Sequence, residues 1–104
     1  MRKYIALLCA LLIALGLAGC GKSPIDKVQD RAVEIGEQFL DGELTKAEAR
    51  EKLDSLMVPE TEGTGQITLQ NDINHLRFTI GKNDSTYDDV KYEIDHIAAR
   101  NYND

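Results

Sequence analysis

The residues best able to do chemistry lie in the last quarter of the chain. Asp89, Glu93, His96 and Arg100 recur at 4-3-4 spacing, which on a helix puts two carboxylates, an imidazole and a guanidinium in one stripe. Glu93-x-x-His96 is the i, i+3 pair from which metal sites inside helical bundles are built, but such a site takes a second pair and further inward glutamates. The chain holds one pair only. The stripe also flanks the apolar positions of its helix, so a solvated, salt-bridged face is the favoured reading. A small enzyme or metal-binding module using Asp89, Glu93 and His96 is the alternative. His75, the other histidine, has no nucleophile to serve and reads as a polar surface residue. Glu60 and Glu62 beside Gly63 lack the alternating oxygen ligands of a calcium loop. Gly63-Thr64-Gly65 is too short, and too acidic in context, for a phosphate loop. No catalytic, cofactor-binding or metal-binding residue is therefore assigned, and no cofactor is expected. Among the tyrosines, Tyr87 reads as core, and Tyr92 and Tyr102 as interface anchors.

A different chemistry is written at the other end. A short basic start (Arg2, Lys3) precedes an apolar run from Ile5 to Leu15, and Leu17-Ala18-Gly19-Cys20 follows. This is the layout of a secretory signal with small residues at its cleavage point. As an uncleaved membrane span it falls short, since Ile5 to Gly19 lacks the roughly 18 to 20 residues that cross a hydrocarbon core. Gly16 and Gly19 also weaken a helix where a protease needs extended chain. The four residues ending in Cys20 resemble the lipobox of bacterial lipoproteins. That resemblance implies a diacylglycerol on the Cys20 thiol, cleavage before it, and Cys20 as the mature N-terminus. It implies a protein lipid-anchored to the cell membrane on the extracytoplasmic side. In Gram-negative members an Asp after the Cys favours inner-membrane retention; Gly21 would permit outer-membrane delivery, and inner or outer membrane stays open. Cys9 would leave with the signal, so no thiol pair remains for a disulfide or a cysteine metal site.

The expected organisation is residues 1–19 as signal peptide, 20–22 as lipidated Cys and tether, and 23–104 as one small acidic domain. Arg2 and Lys3 leave with the signal, so the mature chain sets ten basic against eighteen acidic residues, a net charge of −8. That balance argues against a nucleic-acid partner and against lying flat on anionic lipid. A domain of this size buries only about 60–65% of its unfolded surface. It is too small for the two lobes of a solute-binding transporter subunit. Gly42, Pro59 and Gly63 break the continuous heptads that the murein lipoprotein resembles, and the chain ends Asn103-Asp104 where that protein has Lys. Small lipoprotein subunits of outer-membrane assembly machines can open with a helical hairpin, a likeness of outline without a shared motif.

The elements that would carry these groups are well punctuated. Ser23-Pro24-Ile25-Asp26 supplies an N-cap, a first-turn proline and an acid. Ile25, Val28, Ala32, Ile35 and Phe39 then line one helical face, and Gly42 takes the stop position. Thr45-Lys46-Ala47-Glu48 is a capping box with Leu44 as staple, and Ala49, Leu53 and Leu56 carry a second helix to about Met57. Residues 24–57 thus predict an αα-hairpin, and 58–65 a loop. In the remaining half, 66–104, Asp84 or Ser85 can cap a last helix bearing Tyr87, Val90, Ile94 and Ile97. Between Gln66 and Gly81 two readings compete. Leu69, Ile73, Leu76 and Ile80 align as a helix, whereas Ile67/Leu69 and Leu76/Phe78/Ile80 alternate as a β-hairpin about Asn71-Asp72. The helix is favoured because a lone hairpin is marginal. The predicted fold is a small all-α bundle, with an α+β domain as alternative.

Two functional expectations follow. The leading one is a non-enzymatic accessory or protein-binding lipoprotein, with the membrane as one partner and a membrane-proximal protein as the other. The reach is short because only Gly21 and Lys22 separate Cys20 from the Ser23 cap, and three residues span at most about 10 Å. The competing one is the enzyme or metal module on the Asp89/Glu93/His96 stripe.

Overall fold

The computed structural model describes residues 22–104. Cys20 and the signal segment, with the lipidation and cleavage expected there, lie outside the described residues. Four helices follow one another: α1 (Pro24–Leu40), α2 (Lys46–Asp54), α3 (Gly65–Gly81) and α4 (Tyr87–Ala99). The described residues contain no strand, and none of their helices is long and apolar enough to cross a membrane. Residues 66–81 are helical. Burial explains the outcome: Leu69, Ile73, Leu76 and Ile80 all disappear into the core, while only Ile67 and Phe78 are left outside.

The first hairpin forms as its punctuation dictates. Ser23 Oγ accepts from the Asp26 amide at 3.3 Å, and Pro24 occupies the first turn, where its missing N–H has no helical partner to lose. At the other end the amides of Gly42 and Glu43 reach back to the carbonyls of Phe39 and Gln38, a Schellman closure. It needs a left-handed residue, and Gly42 sits at φ 80°. The capping box of α2 is complete, with Thr45 and Glu48 satisfying each other's amides. This helix stops at Asp54, three residues before the expected Met57. Ser55 caps it by donating its hydroxyl to Glu51, and Pro59 disfavours helical backbone at Val58. Met57 is consequently exposed. The cap of α4 is Thr86, paired reciprocally with Asp89, instead of Asp84 or Ser85. Three cap-competent residues stand in a row there, and the third is the one whose N3 residue, Asp89, returns the bond.

The helices form a closed ring in chain order, each packed on its sequence neighbours and α4 returning to α1, while α2 and α4 stay apart across the diagonal. Consecutive helices run antiparallel, as the meeting of their ends shows: Gln29 near the start of α1 reaches the end of α4, and Lys46 at the start of α2 reaches the end of α3. The core combines Ile25, Ala32 and Ile35 with Ala49 and Leu53, the four apolar residues of α3, and Val90, Ile94 and Ile97. α1 and α4 are tightly packed at Gly36, where a Cβ would stand 2.6 Å from Ile94 Cγ1.

One pole of the ring is closed by the segment after α4. Tyr102 is fully buried, and the backbone oxygen of Asp104 accepts from the amides of both Gly63 (2.9 Å) and Gly65 (3.0 Å). These are amides at the start of α3, which has no side-chain cap at Thr64. The Thr61 hydroxyl accepts a further one, from Gln66 at 3.0 Å. The fit is tight enough to exclude a methyl group: a Cβ on Gly65 would lie 1.9 Å from the Tyr102 carbonyl oxygen. Gly65→Ala should therefore lower stability by about 1–3 kcal/mol in urea unfolding, the usual cost of overpacking. Were the segment not seated there, the same change would raise stability by up to ~1 kcal/mol through backbone entropy. The sign alone decides.

Candidate functional site

The polar stripe predicted on α4 is divided by the fold among separate tasks. Asp89 is committed to the capping box with Thr86. Glu93 is half-buried, and His96 and Arg100 turn toward α3. There they meet Asp72, a residue the sequence reading placed only in a candidate turn. Its side chain is 13% exposed. One carboxylate oxygen accepts from the Tyr102 hydroxyl at 2.6 Å and from Arg100 Nη1 at 3.2 Å. Nε2 of His96 stands 3.8 Å from the same oxygen, beyond hydrogen-bonding distance, and 3.1 Å from Arg100 Nη1. The Tyr92 ring stacks on the imidazole with centroids 6.4 Å apart.

This cluster binds the 100–104 segment to α3. Among the described residues no group of three or more His, Cys, Asp or Glu is gathered to hold a metal. His75 is exposed on α3, and Glu60 and Glu62 are exposed on the loop before it. Gly63-Thr64-Gly65 serves as the close-packed seat for Asp104.

Two tyrosine assignments are corrected. Tyr102, expected as an interface anchor, is 1% exposed, whereas Tyr87, expected in the core, is 60% exposed. Tyr87 is the first residue of α4 and lies beside Leu40 where α1 ends, so little is left to cover it. Tyr102 follows the last helix, where no periodicity exists to announce burial. Tyr92 is exposed as expected.

The same pole holds polar groups that sequence reasoning passed over. Gln29 is buried in the apolar stripe of α1, and its Nε2 donates to the carbonyls of Ile97 and Arg100, both at 2.7 Å. These carbonyls stand at the end of α4, where helical partners run out, and a side chain of another helix caps them. A glutamine four residues after Ile25, on the buried face, was the available signal. Asn103 joins the start of α1, accepting from Ser23 Oγ at 2.7 Å and donating to Asp26 at 2.8 Å. The Asn103 amide holds the Asp26 carboxyl below its ordinary range, with burial opposing it. Burial, followed by the Asp72 hydrogen bond, pushes the Tyr102 phenol above its ordinary range.

Comparisons with known protein families, with curated proteins and with solved structures find no match.

The raised Tyr102 pKa has a definite sign. The folded state retains a proton that the unfolded chain loses above about pH 10, so stability is complete below that pH and falls as pH rises through the folded pKa. Urea midpoints should decline above pH 10, and Tyr102→Phe should flatten that decline. At pH 7 the same variant should lose about 1.5–3 kcal/mol, the range for a hydrogen bond to a charged partner.

Proposed function

We propose that the chain is a small envelope lipoprotein, anchored in the membrane through Cys20, that acts as a non-enzymatic accessory or protein-binding module. The observation that carries this reading is the Leu17-Ala18-Gly19-Cys20 layout joined almost directly to a folded body. Lys22 already pairs with Asp30 at 2.5 Å, and α1 starts at Pro24, so little chain is left between Cys20 and the domain. In this arrangement the positive dipole end of α1 faces the phosphate layer, beside Lys22. The tightly closed pole, with Tyr102 and Asn103, is the membrane-proximal one. The opposite pole, beyond Gly42, stands about 25 Å away, the length of α1 at 1.5 Å per residue. A partner close to the same membrane is within reach; one across a periplasm is not.

Against the enzyme or metal reading stands the use already made of its residues. Asp89 caps α4, and His96 is flanked by Tyr92, Arg100 and Asp72.

Metabolic labelling with an alkyne fatty acid in the native host should mark the chain, and the mature mass should begin at Cys20. Cys20→Ala should abolish the label and leave the precursor mass. A soluble, unlabelled native protein would refute the anchor. Orientation is tested separately with spin labels on the lipidated protein in bilayers. A label at Ser23 should be quenched by lipid-soluble relaxants and one at Gly42 by aqueous ones. Equal exposure of both would rule out the upright geometry.

A further inference from the structure

Where α2 packs on the last turns of α3, basic side chains gather on the outer side of the two helices. Lys46, Arg50 and Asp54 succeed one another at four-residue spacing along α2, against the last turns of α3. Lys46 Nζ donates to the Lys82 carbonyl at 3.3 Å, and the Arg50 guanidinium lies over Gly81, where a Cβ would stand 3.1 Å from Cζ. Arg77 Nη1 pairs with Asp54 at 2.7 Å, and Lys82 Nζ sits 5.8 Å from the centre of the Phe78 ring. Arg50, Arg77, Lys82, Asn74 and Phe78 line one open concavity of about 340 Å³ on the outer side of α2 and α3. Asp54 is the single carboxylate paired with these cations. Among the described residues neither Arg50 nor Lys82 has a carboxylate partner.

Part of this arrangement serves the fold, because cations near the last carbonyls of α3 are favourable. That role accounts for Lys46, which bonds a carbonyl. It leaves unexplained why Arg50 and Lys82 border a hollow with a half-exposed aromatic ring and an exposed amide. Guanidinium groups match carboxylates in planar, two-point fashion, and an aromatic ring beside them supplies apolar contact area.

We propose that this concavity binds an acidic segment of a partner protein, taking a carboxylate on Arg50 and Lys82 and a neighbouring apolar or aromatic side chain on Phe78. The chain is net acidic, so an acidic partner is guided to this basic patch and repelled by the carboxylates elsewhere. The choice of a protein segment over a lipid headgroup rests on the anchored orientation proposed above, which holds the last turns of α3 about 25 Å from the membrane. The binding chemistry itself does not depend on the anchor.

The test uses the full chain in a neutral detergent and a fluorescein-labelled acidic peptide, glutamates flanking a single phenylalanine. Its glutamine counterpart is the control. Anisotropy should rise saturably with the acidic peptide, weaken with added salt, and stay low with the glutamine peptide. Arg50→Gln combined with Lys82→Gln should weaken binding about tenfold or more, while Arg50→Lys, which keeps the charge and loses the two-point fork, should weaken it less. Circular dichroism checks that each variant is folded. Absence of saturation, equal binding of the two peptides, or unchanged affinity in the double variant would each overturn the proposal. So would displacement of the peptide by phosphatidylglycerol doped into the micelles, or by inorganic phosphate at equal concentration; these would assign the site to a lipid headgroup or a free anion. Cys20→Ala should bind the peptide as well as the native sequence, so loss of the anchor and loss of the peptide site are read independently.

Discussion

The structure depends on the docking of residues 100–104 across one pole of the helical ring. Three helix ends meet there: the start of α1, the start of α3 and the end of α4. Each leaves backbone groups without helical partners, and burying them unsatisfied would cost more than the packing returns. The fold resolves this by exchange between elements. The backbone oxygen of Asp104 takes the amides at the start of α3, Gln29 of α1 takes the carbonyls at the end of α4, and Asn103 joins the α1 cap to the same segment. Tyr102 fills the space beneath and fastens to Asp72.

A domain this small has few other ways to hold itself together. Both cysteines of the chain, Cys9 and Cys20, lie outside it. Its surface ion pairs, such as Lys91–Asp95 and Arg77–Asp54, are exposed and contribute little individually. The buried apolar set is compact, and Gly36 lets α1 and α4 approach closely enough for Ile94 to lie over the helix backbone. The Asp72 cluster adds a partly shielded carboxylate with two donors, where a charge-assisted bond is worth more than on open surface.

The two poles differ in physical character. The pole near Lys22 is closed and polar-networked, with its helix-end groups satisfied internally. The pole near Gly42 and Gly81 carries Arg50, Arg77 and Lys82 around an exposed ring. Between them the outer faces of the helices are mixed in charge and net acidic.

Local signals in the chain were sufficient for the elements. Ser23-Pro24, Gly42, the Thr45–Glu48 box and the 3.6-residue spacing of apolar residues each act within a few positions, and each is realised as read. Even the ambiguous stretch 66–81 had its answer in the spacing of Leu69, Ile73, Leu76 and Ile80, since only a helix hides all four against three other helices. The resemblance of Leu17-Ala18-Gly19-Cys20 to a lipobox rests on the sequence alone. What tertiary structure decided was everything depending on residues far apart in the chain. Tyr102 is buried against the start of α3 and Tyr87 is exposed beside the end of α1, placements that no periodicity encodes. Asp72, Gln29 and Gly65 acquire their roles from partners 30, 68 and 37 positions away in the chain. The stripe on α4 was legible as a stripe, but its division between a cap and a lock was not. A side chain's spacing determines which face it occupies, and only the assembled fold determines what stands opposite that face.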